Sequence, residues 1–272
     1  MADDILINGE PATQLPVQDR GLHYGDGLFE TIAVQGGQLL CMADHLERLL
    51  VSCQQLKLPF TQDRQLRAEV ESLARDVGRG VIKIIITRGS GGRGYAPPVN
   101  PQPTRIVARY PWPEFPAETI DDGIAVRVCD TRYGHQPLLA GMKHLNRLEQ
   151  VMARAEWDDP AIAEGVVLDI DDNVIEGTMS NIFYTSNGKL FTPDLKQCGI
   201  KGIIRQKIID LAEGVAIKQI SLPELLDADE VFVCNSIIGL WPVTRINDRK
   251  YKVGSIGRNL RDLLIKQEYI GH

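Results

Sequence analysis

The sequence predicts a mixed α/β fold with antiparallel sheets, and three observations carry that expectation. Short β-branched runs, of which Val81–Thr87 is the strongest, are interleaved with stretches of helical periodicity. Tight-turn signals join neighbouring runs into hairpins, with Asn187-Gly188 the clearest of them. The elements do not follow one another in the regular strand–helix–strand order of a stacked parallel sheet.

Leu39–Met42 reads as a short strand. Asp44, followed three residues later by Glu47, has the form of a capping box opening a helix. Leu46, Leu49, Leu50, Cys53 and Leu56 fall on one face of that helix. A second helix is expected from about Gln62 to Val77, with Leu66, Val70, Leu73 and Val77 turned inward. Strands follow at Val81–Thr87 and Arg105–Tyr110. The segment Pro111-Trp112-Pro113-Glu114-Phe115-Pro116 can continue neither a helix nor a central strand, because proline lacks the backbone donor. The domain linker is therefore placed at 111–119, between an N-terminal α/β domain (1–110) and a larger C-terminal domain (120–272). Beyond it come a strand at Ile124–Cys129 and a helix that begins after Met142 and runs to about Trp157. A hairpin of Gly165–Ile170 with Val174–Ile175 turns at Asp171-Asp172-Asn173. A second hairpin pairs Asn181–Thr185 with Lys189–Thr192. A helix opens at Gly202, Ser221 and Glu224 form another capping box, Glu230–Cys234 is a buried strand, and Arg258–Gln267 is a terminal helix.

Composition bounds the function. The 272 residues, 43% of them apolar, can bury a sizeable core. A net charge of −6 argues against nucleic acid as the main partner. The five cysteines are scattered and never spaced C-x-x-C, which fits reduced thiols in a cytoplasmic protein without a zinc cluster. The opening MADDILINGE has no secretory pattern, no apolar stretch is long enough to span a bilayer, and no metal motif is present. Gly89-Ser90-Gly91-Gly92-Arg93-Gly94 matches G-x-G-x-x-G literally. A dinucleotide fingerprint also needs a helix to open at once, and Pro97-Pro98 argues against one.

Five segments could carry chemistry. Lys143, after the apolar approach Leu138-Leu139-Ala140-Gly141-Met142, is expected at a helix start. Burial and the positive helix end would both favour its neutral amine there. The plainer alternative is a solvated lysine. Glu176 lies in a Gly/Ser/Thr-rich turn, as a cofactor's acidic partner or as an ordinary exposed acid. Arg48 lies four residues after Asp44, as a phosphate clamp or as a solvated ion pair. Gly202-Ile203-Ile204-Arg205 opens a helix whose amides suit a phosphate. The loop Arg88-Gly89-Ser90-Gly91-Gly92-Arg93-Gly94-Tyr95 has the glycines and arginines to hold a small carboxylate.

Taken together and in order, these segments resemble the fold-type IV pyridoxal-phosphate (PLP) enzymes along nearly the whole chain. Asp19-Arg20-Gly21-Leu22-His23-Tyr24-Gly25-Asp26-Gly27-Leu28-Phe29-Glu30-Thr31 is similar to that class's N-terminal signature, and His45-Leu46-Glu47-Arg48-Leu49 to its phosphate-binding arginine motif. The resemblance implies a two-domain architecture with a C-terminal pseudo-barrel and PLP borne on Lys143. It implies Glu176 and Asn181 at the pyridine nitrogen, and Arg48 with the amides of Ile203 and Ile204 at the phosphate. It also implies Thr31 as a substrate contact and a homodimer; Arg93 and Tyr95 are the substrate contacts expected from the 88–95 loop, and no metal is expected. Within the class, the 88–95 loop and Lys143-His144-Leu145-Asn146-Arg147-Leu148-Glu149-Gln150-Val151 are similar to the aminodeoxychorismate lyases. These make 4-aminobenzoate, a folate precursor, and pyruvate from the small-molecule substrate 4-amino-4-deoxychorismate. Phe29-Glu30-Thr31 also resembles D-amino-acid and branched-chain aminotransferases, which are the nearest alternative. A non-catalytic PLP-binding protein on the same fold is the alternative of another class.

Overall fold

A computed structural model describes residues 4–116 and 118–271. Residues 1–3, 117 and 272, which fall in the expected N-terminal domain, linker and C-terminal domain, lie outside the described residues. The chain divides into two units. One contains the chain up to Pro113 together with Met142–Asn146; the other contains Glu114–Gly141 and the chain from Arg147 onward.

The first unit has strands β1 (Ile5–Ile7), β2 (Glu10–Pro11), β3 (Gly27–Gln35), β4 (Gln38–Leu39), β5 (Arg79–Thr87) and β6 (Thr104–Pro111). They form an antiparallel sheet in the order β2-β1-β6-β5-β3-β4. Its helices are α1 (Arg20–Tyr24), α2 (Met42–Gln55) and α3 (Asp63–Ala74). Strand alternation splits each strand between two faces. Leu28, Ile32 and Val34 of β3 and Ile82, Ile84 and Ile86 of β5 are buried in one core with Leu46, Leu49 and Cys53 of α2 and Leu66, Val70 and Leu73 of α3. The opposite face holds Phe29, Thr31, Lys83, Ile85 and Ile106, all half-buried.

Two local expectations fail here. The strand before α2 is only Gln38–Leu39, not Leu39–Met42, and Asp44 does not cap the helix. Cys41, in a left-handed conformation (φ 52°), turns the chain into α2 and stands at the N-cap, where its side chain makes no capping hydrogen bond. Asp44 sits three residues past the N-cap, too deep to cap, although its charge still suits the first turn.

The second unit has a nine-stranded sheet. Its strands are β7 (Ile124–Tyr133), β8 (Ile162–Asp169), β9 (Val174–Gly177), β10 (Asn181–Ser186), β11 (Lys189–Pro193), β12 (Ala216–Lys218), β13 (Glu230–Asn235), β14 (Gly239–Ile246) and β15 (Arg249–Lys250). Its helices are α4 (Thr119–Asp122), α5 (Leu148–Arg154), α6 (Ile203–Leu211), α7 (Leu222–Leu226) and α8 (Ser255–Lys266). The main path runs β12-β11-β10-β13-β14-β7-β8-β9, and β15 pairs with β14. Parallel pairs β7–β8, β7–β14 and β11–β12 lie among antiparallel ones, so the sheet is mixed. The β10–β11 hairpin turns through Asn187 (φ 50°) and Gly188 (φ 73°), the two left-handed residues that a type I′ turn requires. Ser221 accepts the Glu224 N–H and caps α7, as its spacing predicts.

All five cysteines are free, and four are buried: Cys53, Cys129, Cys198 and Cys234. Burial pushes each of those four thiols up to about 12. No cluster of His, Cys, Asp and Glu among the described residues could hold a metal. No helix among them is long and apolar enough to cross a membrane.

Candidate active site

In the second unit, Glu176 is the third residue of β9 and is 3% exposed, so it is not a solvated turn acid. Its Oε2 accepts the Ile200 N–H at 2.9 Å and the Asn181 side-chain amide at 3.2 Å. That amide also donates to the Ile200 carbonyl at 2.8 Å, while Asn181 Oδ1 accepts the Gly202 N–H at 3.0 Å. One side chain therefore ties the buried carboxylate to the residue that caps α6. The fit admits only glycine at 202, because a Cβ there would stand 2.1 Å from Asn181 Oδ1.

Helix α6 begins immediately afterwards with Ile203 and Ile204, both buried. No side chain caps it. A buried helix start with uncapped amides needs an acceptor, and the positive end of the dipole selects an anion. These residues fit a cofactor with a phosphate at one end and a ring nitrogen to be kept protonated at the other. Arg205 takes no direct part: it is buried and donates to Thr192 Oγ1 and the Pro193 carbonyl.

A second buried acid, Glu164 on β8, holds the turn between Glu176 and Asn181. Its Oε1 accepts the Thr178 N–H (2.9 Å) and hydroxyl (2.5 Å), and its Oε2 accepts the Met179 N–H (3.2 Å) and the Ser180 hydroxyl (2.8 Å). Arg147 lies near Glu176. Burial pushes its guanidinium below the ordinary value, against the pull of Glu176 and Tyr133.

In the first unit, Lys143 is not at a helix start. Residues 143–145 lie extended against β3: the Phe29 N–H donates to the Lys143 carbonyl (2.9 Å), and the Leu145 N–H donates to the Gly27 carbonyl (3.0 Å). The helix waits until Leu148. The backbone bonds that β3 offers outweigh the local helical pattern, so the helix-dipole argument for a neutral Lys143 falls. The lysine's Nζ stands 4.3 Å from the centre of the Phe29 ring.

Arg48 projects from α2 onto Glu30, not into solvent beside Asp44. Nε donates to Oε1 at 2.8 Å and Nη2 to Oε2 at 2.5 Å, a bidentate fork. His45, one turn earlier, is bonded through Nδ1 to Glu30 Oε2 at 2.6 Å. Since an ionised carboxylate only accepts, the Nδ1–H donates. Burial lowers the imidazole's basicity, which fits a neutral His45. Glu30 is 1% exposed. Burial resists its charge, but Arg48 and His45 prevail and hold the carboxyl at about 2, down from 4.5. Its stabilisation is therefore full above about 4.5 and is lost as pH falls through about 2, a contribution of about 3 kcal/mol. Urea unfolding of wild type and Glu30→Gln should show that gap near neutral pH and its closure in acid. A gap constant across the range would exclude this account.

The three residues expected at the substrate are spread out. Thr31 is half-buried beside Phe29 on the sheet face, whereas Arg93 and Tyr95 are exposed, Tyr95 by 86%. Arg88, the loop's other arginine, is structural. It is buried and bonded to Asp26 and to the Leu56 and Lys57 carbonyls. Arg20 donates to Asp26 and to the carbonyls of Gly94, Tyr95 and Ala96, so a buried guanidinium holds the loop from beneath. No helix follows Gly94, in keeping with a coincidental dinucleotide match. The sequence reading missed Glu30, Glu164 and Arg147. The first two had a signal, since an acid inside a β-branched strand must be paired if it is buried.

Residues 27–246 match the family described as amino-transferase class IV. The chain belongs to that family. It is 40% identical over 264 residues to an aminodeoxychorismate lyase of Vibrio harveyi, covering 94% of this chain and 97% of that one. The crystal structure of 4-amino-4-deoxychorismate lyase from Pseudomonas aeruginosa superposes with a TM-score of 0.94 at 45% identity, covering 98% of this chain and all of that one. A putative branched-chain-amino-acid aminotransferase of Methanocaldococcus jannaschii is 33% identical over 273 residues, 95% of this chain and 94% of that one. The mixed α/β, fold-type IV architecture expected of this class IV chain is the one observed.

Proposed function

We propose that the chain is a PLP-dependent lyase that converts 4-amino-4-deoxychorismate to 4-aminobenzoate and pyruvate. The buried Glu176 carboxylate, tied through Asn181 to the uncapped start of α6, is the observation that carries the cofactor assignment. The choice of lyase over aminotransferase is supported by 40% and 45% identity to lyases against 33% to the aminotransferase.

Ile203 and Ile204 would hold the phosphate through their amides, with Arg48 as its cation, and Glu176 would keep the ring nitrogen protonated. Lys143 would hold the cofactor covalently. When bound, PLP supplies an electron sink for the charge left on carbon when a proton departs. As a free amine, Lys143 would take the proton from the amine-bearing ring carbon and return one to the departing enolpyruvyl group. Loss of that group makes the ring aromatic, which drives the reaction. Thr31, Arg93 and Tyr95 would contact substrate. In this reading residues 1–110 and 120–272 are the two domains, joined by 111–119. The enzyme works as a cytoplasmic homodimer without a metal.

The test is to give the PLP-loaded protein 4-amino-4-deoxychorismate without a keto acid and to follow both products. Equal appearance of 4-aminobenzoate and pyruvate is expected. Turnover that requires a keto-acid acceptor would sink the lyase and favour the aminotransferase.

A further inference from the structure

Residues 88–103 connect β5 to β6, leaving the sheet at Thr87 and re-entering it at the paired Thr104. They contain no helix and only an isolated bridge, Ser90 with Asp19. A connection of that length without its own secondary structure is ordinarily either disordered or functional. This one is held in place by residues 18–26.

Asp19, fully buried, accepts the hydroxyls of Thr87 and Thr104 at 2.9 Å each and so ties the two ends of the connection together. The Gly91 N–H donates to the Gln18 carbonyl, and the Arg20 N–H donates to the Gly89 carbonyl. Further out, the Arg20 side chain takes over. It is 3% exposed and donates through Nη1 to the carbonyls of Gly94 (2.9 Å) and Ala96 (3.4 Å) and through Nη2 to that of Tyr95 (3.0 Å). Its Nε is bonded to Asp26 at 2.8 Å, and Arg88 shares that carboxylate at the same distance. The Gly94 N–H donates to the Tyr24 hydroxyl at 3.1 Å. Gly91 lies against the Arg20 stem so closely that a Cβ there would stand 2.9 Å from Cδ.

Three consecutive carbonyls on an exposed loop would ordinarily be hydrated. Here they meet a buried cation, whose desolvation is tolerable only because its donors are satisfied. The side chains of the same stretch go the other way. Arg93 is exposed, and Tyr95 is 86% exposed, its ring meeting Tyr24 edge-on with centroids 5.5 Å apart. A backbone fixed from within, with a cation and a phenol turned outward, is arranged to offer those two groups to a ligand.

We propose that Arg20 is a positioning residue for the reaction: it pins the 94–96 backbone so that Arg93 and Tyr95 are presented to the anionic substrate. It sets affinity without touching the substrate. The inference rests on the lyase reading, in which Arg93 and Tyr95 contact substrate. An unpinned loop must be ordered each time substrate binds, and that ordering subtracts from affinity. Contacts that are alike in the ground and transition states change KM and leave kcat.

The test compares wild type, Arg20→Met, Arg20→Lys and Tyr24→Phe, each loaded with PLP. Tryptic cleavage after Arg93 is followed by mass, and steady-state kinetics are measured with 4-amino-4-deoxychorismate. Arg20→Met should speed that cleavage on the order of tenfold and raise KM by a similar factor, with kcat and the cofactor's visible absorption near wild type. Arg20→Lys, which keeps the charge but not the planar fork, should recover part of both. Tyr24→Phe removes the Gly94 acceptor and leaves the buried cation in place. It should move both readouts the same way, by about threefold, even if Arg20→Met fails to fold. Faster cleavage with an unchanged KM in Arg20→Met or, should that variant not fold, in Tyr24→Phe overturns the proposal and leaves the lyase intact. Unchanged cleavage after Arg93 overturns it too. A wild-type protein that releases no 4-aminobenzoate sinks the lyase reading, and the proposal with it.

Discussion

Lys143→Ala is expected to lose at least about 10⁴-fold in turnover of 4-amino-4-deoxychorismate while keeping its fold. In the proposed reading this amine holds the cofactor and then moves the proton, so truncation removes two roles at once. The fold loses little. The segment is fixed by its backbone, through the Phe29 and Leu145 amides, and both bonds survive the substitution. The contact of Nζ with the Phe29 ring, worth about 1 kcal/mol, is lost with the side chain. Product assays beside circular dichroism separate the two effects. A folded variant with a near-wild-type rate would defeat the assignment of Lys143.

Glu164→Ala should act in the opposite order, through stability first. The carboxylate is 1% exposed and satisfies the Thr178 amide and hydroxyl, the Met179 amide and the Ser180 hydroxyl. Its own Oε1 also accepts the Gly165 amide. Truncation strands several polar groups together, and each costs about 1–3 kcal/mol when left unmet in a dry site. Water entering the gap and relaxation of the turn will recover part of this, so a net loss of about 4 kcal/mol is expected in denaturant unfolding. Since the turn fixes the spacing from Glu176 to Asn181, PLP should also bind more weakly. A loss below about 1 kcal/mol would show that the turn stands without Glu164.

The contrast between these two residues bears on what could be read from the sequence. Lys143 and Glu176 stood out through motif order, and the hairpins through their turn residues, because those signals are local. The capping of α2 was misread by a few residues because a left-handed Cys41 has no sequence signature as clear as an aspartate. The strand-like setting of Lys143 was missed for a tertiary reason: the bonds that decide it come from β3, more than a hundred residues away. Glu30 and Glu164 were passed over because each lies in a strand whose apolar neighbours dominate the pattern. Within such strands the lone charge is the informative position. Arg88 went the other way. A glycine-rich loop made it look available, yet Asp26 and two carbonyls had already claimed it.

The buried thiols also give the protein a built-in clock. With Cys53, Cys129, Cys198 and Cys234 enclosed and their ionisation pushed up to about 12, almost no thiolate is presented at neutral pH. A thiol-specific alkylating reagent must wait for the chain to open. Cys53 belongs to the first unit and the other three to the second. Mass-resolved labelling of the native protein would thus time the opening of each unit separately, without any introduced probe.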